Sequence, residues 1–194
     1  SKKVELNGRY THHAIYDETI KFIKDSKDKP FFLYCPWTPP HSAYQIPEDE
    51  PAWKTYKDKK WNKDAKVAAA MDTMMDRQVG EITALLKKLG IYNNTLMFFT
   101  SDNGAAKRFD GIHNSCGVMQ GHKRSLNEGG IRVPMVVRWP GKIKPGTESN
   151  QPWYFPDVMP TLAEIAGVSK EVPKDIDGIS VLPSLLGKGE QKQH

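Results

Sequence analysis

Cysteine is scarce in this 194-residue chain: Cys35 and Cys116 stand alone, which excludes a disulfide framework or a short-spaced thiolate metal site. Long apolar runs are missing as well. The longest, FFLYCPW at 31–37 and LMFF at 96–99, are strand-length, far below the roughly 18 residues a membrane-spanning helix needs. Residues 1–10, SKKVELNGRY, lack the apolar core of a signal peptide. The sequence has no G-x-S-x-G elbow, no Walker A loop and no dinucleotide fingerprint. Neither charge sign dominates, with 28 Lys plus Arg against 23 Asp plus Glu and a net charge of +5.

What is present has α/β character. Ile15, Thr19, Phe22 and Ile23 recur at helical spacing over 12–25, with Thr11 as the expected N-cap. A longer periodic stretch from Asn62 to Leu89 carries Val67, Met71, Met74, Met75, Val79, Ile82 and Leu85 or Leu86, with Gly90 as its stop. The methionines read as core fillers. Between these lies 38–61, a loop by its prolines Pro39, Pro40, Pro47 and Pro51. Strands are expected at 31–37, 95–101 and 131–139, and short helices at 156–166 and 181–186. That order predicts a mostly parallel sheet flanked by helices. Residues 51–66 interleave lysines with Trp53, Tyr56 and Trp61; with Asp58 and Asp64 in the same window, inward aromatics and a solvated face are expected, not a nucleic-acid partner.

Ligands of open parallel sheets bind beyond the carboxyl ends of the strands. His41 follows the first strand, Asp102-Asn103-Gly104 the second, and Gly121-His122-Lys123-Arg124 lies within the long polar stretch 103–130. Asp102 and Asn103 offer adjacent hard oxygen donors of the kind calcium or magnesium takes, although alone they also read as a turn. Lys123 and His41 are donors suited to an anion. No catalytic triad is legible, so these residues point to an anion and metal face without a nucleophile.

The order FFLYCPWTPPH, MDRQVG, NNTLMFFTSDNG, GHKRSLNEGGIRVPMVVRWPGKIKPG and PDVMPTLAEIAG resembles the type I sulfatases, arylsulfatase-like members of the alkaline phosphatase superfamily, over almost all of 1–194. The resemblance implies an incomplete α/β fold, the second half of the large catalytic domain, with 38–61 and 103–130 as loops on the active-site side. It implies that Asp102 and Asn103 are metal ligands, for calcium, and that His41 and Lys123 are catalytic contacts to the sulfate ester. It places His122 and Arg124 along the pocket, and Glu128, Arg132 and Pro134 in the scaffold. Family catalysis uses a formylglycine made in a Cys-x-Pro/Ala-x-Arg element. Neither Cys35-Pro36-Trp37-Thr38-Pro39 nor Cys116-Gly117-Val118-Met119-Gln120 fits, so the chain holds no nucleophile. Expected partners are a sulfate ester, including sulfated glycans, and a missing N-terminal part of the same protein. The expected location is periplasmic or secreted, and the isolated chain is expected to be inactive. A related phosphatase or phosphodiesterase, or a sulfated-glycan-binding module without a nucleophile, are the alternatives.

Overall fold

The structure is a computed structural model that describes residues 5–109 and 111–194. The chain divides into two compact units. The first takes the residues up to Tyr92 together with Ser101–Pro134, and the second takes Asn93–Thr100 with Met135–His194.

Helices α1 (Thr11–Ser26), α2 (Pro51–Tyr56) and α3 (Lys63–Lys88) dominate the first unit. Asn62 starts α3 by accepting the Ala65 N–H at 2.9 Å. Gly90, at φ +74°, ends it: Gly90 N–H reaches Lys87 O and Ile91 N–H reaches Leu86 O, the paired bonds of a Schellman stop. Met71, Met74 and Met75 are buried along α3 beside Ala70, Ile82 and Leu86, as their spacing requires. The α1 stripe is rotated from expectation. His12, Thr19, Ile23 and Ser26 are buried while Ile15 and Phe22 stay partly exposed, because buried His12 turns toward α3 and donates from Nε2 to Gln78 Oε1 at 2.6 Å. Tyr10, not Thr11, occupies the α1 N-cap and makes no side-chain cap bond.

Buried Glu50 ties the three helices together. Its carboxylate caps α2 by accepting from Ala52 N–H (3.4 Å), pairs with Arg77 of α3 (2.9 Å) and meets His13 of α1 (3.2 Å). Trp53 and Tyr56 pack on Ala52, Ala70 and Met74, and Trp61 packs on Ala65, Ala68 and Phe109. The interleaved aromatics of 51–66 therefore face inward, and the loop expected over 38–61 contains one helix.

The first unit also contains the single turn α4 (Glu128–Ile131), and the second holds β1 (Met97–Thr100), β2 (Met135–Arg138) and the short helices α5 (Val158–Ile165) and α6 (Leu182–Leu186). Asp157 is its fully buried polar centre. The carboxylate accepts the N–H groups of Tyr154 (3.0 Å) and Ile179 (2.8 Å) and meets His194 Nε2 at 3.0 Å. Thr161 Oγ1 accepts from Val181 N–H at 3.0 Å, so the 177–182 segment is laced to α5.

The expected parallel sheet is not formed. Among the described residues the only sheet is the β1–β2 pair, antiparallel with Met97 opposite Arg138 and Thr100 opposite Met135. The run 31–37 forms no strand ladder, and Trp37 N–H turns back to Cys35 O at 2.9 Å. Phe31 meets Phe22, and Trp37 meets His12 and Tyr16, whereas Phe32 and Tyr34 are 69 % and 74 % exposed. A run read as buried on both faces is thus covered on one. No helix among the described residues is long and apolar enough to cross a membrane.

Candidate functional site

Four backbone hydrogen bonds organise the polar loops of the first unit. Gly104 N–H donates to Gly130 O (2.9 Å), Lys123 N–H to Ala105 O (2.8 Å), Gly129 N–H to Gln120 O (2.8 Å) and Ser125 N–H to His122 O (2.8 Å). Glycine makes this approach possible. A Cβ on Gly104 would fall on the Gly129 carbonyl, one on Gly129 on the Gly121 carbonyl, and one on Gly130 on the Ser125 carbonyl. Ser101 Oγ donates to Asn103 O at 3.1 Å and tightens the turn that presents Asp102 and Asn103. Lys123 bonds through its own N–H to a residue only two beyond Asn103, so the acid–amide pair and the lysine belong to one backbone-knit element.

The flanking residues differ in placement. His122 and Lys123 are half-buried, whereas Arg124 is exposed and holds φ +76°. A non-glycine residue in that region costs of order 1 kcal/mol, and such outliers concentrate where a loop has chemistry to present. Glu128 and Arg132 form an exposed pair at 3.3 Å, worth about 0.5 kcal/mol or less.

His41 stands apart. It is exposed, and its Nδ1–H donates to Ser42 O at 2.7 Å. That bond fixes the tautomer of the neutral ring, leaving Nε2 as an acceptor, so Nε2 carries a proton only in the imidazolium. The described contacts link the His41 loop to the 104–120 segment through Tyr44, whose ring meets Phe109 edge-on at 5.0 Å, and not through His41 itself. Sequence reasoning passed over Tyr44 and Glu50. Glu50 carried a signal, an acid directly before Pro51 at a helix start, while Tyr44 carried none.

A family model described as Sulfatase matches residues 1–168. The chain belongs to the sulfatase family. It is 36 % identical over 187 residues to the steryl-sulfatase of Rattus norvegicus, covering 91 % of this chain and 30 % of that protein. It is 35 % identical over 200 residues to the uncharacterized sulfatase YdeN of Escherichia coli (strain K12), covering 100 % and 34 %. The crystal structure of Ps i-CgsB in complex with k-i-k-neocarrahexaose aligns at TM-score 0.80 with 34 % identity, over 92 % of this chain and 39 % of that one. The chain thus spans about a third of the length of the curated relatives it matches.

The sulfatase residues present fit a hard divalent cation in chemistry but not in number. Asp102 supplies an exposed carboxylate and Asn103 an amide oxygen, while calcium takes six to eight oxygens. Among the described residues no group of three or more His, Cys, Asp or Glu converges to complete such a shell.

Proposed function

We propose that this chain is the C-terminal portion of the catalytic domain of a sulfuric ester hydrolase acting on aryl or carbohydrate sulfates. The observation that carries the proposal is the glycine-knit joint that sets Lys123 against the Asp102–Asn103 turn. In this proposal Asp102 and Asn103 contribute two ligands of a calcium-type cation, the others coming from outside residues 5–194. Bound there, the cation would supply positive charge to the sulfuryl oxygens.

The chain's own groups have separable tasks. Lys123 places a fixed positive charge at the developing negative charge of the transferring sulfuryl group. His122 and Arg124 line the pocket on either side of it. His41, with Nδ1–H committed to Ser42 O, can deliver a proton to the leaving alcohol only from Nε2 and only as imidazolium. The attacking group comes from a Cys-x-Pro/Ala-x-Arg segment outside these 194 residues, so the chain alone is inactive. The proposed placement is periplasmic or secreted.

The test uses a longer protein that joins such a segment to this chain. His41→Ala should slow aryl sulfates with poor leaving groups at least tenfold more than activated ones. Equal loss across leaving groups would remove the acid role. Hydrolysis by the purified 194-residue chain itself would overturn the division of labour.

A further inference from the structure

Lys123 stands at the second position of a turn that is under strain. The Ser125 N–H donates to His122 O at 2.8 Å and closes residues 122–125, with Lys123 and Arg124 at the tip. Of that pair only Arg124 has positive φ, +76°, which makes the turn type II. Its third position is one that glycine or asparagine normally takes, because the Cβ of a larger residue there crowds its own backbone. Such a conformation persists only where the surroundings hold it. If the turn relaxes, Lys123 moves with it.

Ser125 is where the surroundings take hold. Its Oγ accepts the Asn127 N–H at 3.1 Å, and Asn127 O accepts the N–H groups of Gly130 (2.8 Å) and Ile131 (3.3 Å). Gly130 O in turn accepts the Gly104 N–H at 2.9 Å, directly after Asn103. A continuous hydrogen-bonded path therefore runs from the Lys123 turn through Ser125 Oγ, Asn127 and Gly130 to the Asp102–Asn103 turn. Packing supports the same path. A Cβ on Gly121 would fall 2.5 Å from Ser125 Oγ, and one on Gly130 would fall 2.1 Å from Ser125 O. The hydroxyl thus lies over a bare Cα and is committed to the loop backbone.

We propose that Ser125 is a positioning residue: its hydroxyl holds the strained 122–125 turn so that the Lys123 ammonium meets the sulfuryl group. The proposal rests on the sulfatase function above and deepens it by a residue that touches no substrate. Ser125 takes no part in bond making. It limits the freedom of Lys123, whose charge stabilises the transition state only when held in place.

Two measurements test it. The first is kinetic, in the longer protein with 4-nitrophenyl sulfate. Ser125→Ala should lower kcat about tenfold or more and leave KM within about twofold. Ser125→Cys, which fills the same space with a poor acceptor, should resemble Ser125→Ala. In a Lys123→Ala background Ser125→Ala should cost nothing further, because the group it positions is gone. The second measurement needs no turnover and follows amide hydrogen exchange in the 194-residue chain. Ser125→Ala should speed exchange at Lys123 and Asn127 about tenfold or more, with the amides of α3 unchanged. Thr147→Ala, which removes a comparable side-chain bond to Lys144 O at 2.9 Å, should move neither readout. Wild-type kcat in Ser125→Ala or Ser125→Cys, or a fully multiplicative loss with Lys123→Ala, would overturn the proposal. So would unchanged exchange at Lys123 and Asn127. No hydrolysis by the longer wild-type protein would refute the sulfatase function itself, and the exchange result would still decide whether Ser125 holds the turn.

Discussion

The two loops that carry the site residues are held in opposite ways. The loop bearing Asp102, Asn103 and Lys123 is fixed chiefly by backbone on backbone, through Gly104, Gly129 and Gly130. The loop bearing His41 is pinned by side chains at two points, Tyr44 on Phe109 and Glu50 on His13 and Arg77. Backbone joints tolerate no added volume, since nothing can rotate out of the way. Side-chain pins can be weakened by degrees. In the proposed mechanism, charge stabilisation by the first loop would be set rigidly, while proton delivery from the second would be adjustable.

The largest effect that would break this contrast is expected at the glycine joint. Gly129→Ala should cost about 3 kcal/mol or prevent folding of the loop, as read by urea unfolding, because its methyl meets the Gly121 carbonyl. Removing a side-chain pin should cost less. Glu50→Ala strips partners from His13 and from Arg77, which is itself partly exposed, and should lose about 2 kcal/mol. Tyr44→Ala should lose about 1 kcal/mol from its contacts with Phe109 and Arg108. A Glu50→Ala loss equal to that of Gly129→Ala would erase the distinction.

A smaller effect sharpens it through pH. Burial lowers the His12 pKa, the Gln78 bond opposing only in part, and Nδ1 is a buried atom without a partner. The folded chain therefore resists a proton that the unfolded chain accepts. Stability from this group is fully present above about pH 6.5 and is lost as pH falls through the lower folded value. Thermal melts should show that loss in the wild type and less of it in His12→Gln, while hydrogen exchange at the Lys123 amide stays unchanged. Smallest of all, Arg132→Ala should shift stability by no more than about 0.5 kcal/mol.

Much of this was legible in the sequence where one residue type has one physical use. Asn62 and Gly90 bound α3, and Met71, Met74 and Met75 lie in the core, because caps and helical period act locally. Strands form within 95–101 and 131–139 as expected, but the parallel sheet was misjudged because apolar runs do not reveal their partners. FFLYCPW has strand composition, yet its described ring contacts are with α1, and Phe32 and Tyr34 remain open. The same limit applies to the site. Lys123 and Asp102–Asn103 are separated in sequence, and the backbone bonds that join them across glycines are long-range. The Tyr44–Phe109–His113–Trp61 contact is long-range packing that no local pattern encodes.

The central claim is that Asp102 and Lys123 act on the same sulfuryl group from one rigid element. A double-mutant cycle in the longer protein, reading kcat/KM for 4-nitrophenyl sulfate with Asp102→Ala, Lys123→Ala and both, tests it most directly. The prediction is a loss of at least 100-fold for each single substitution and a combined loss far smaller than their product. Fully multiplicative losses, or a single loss below tenfold, would contradict it.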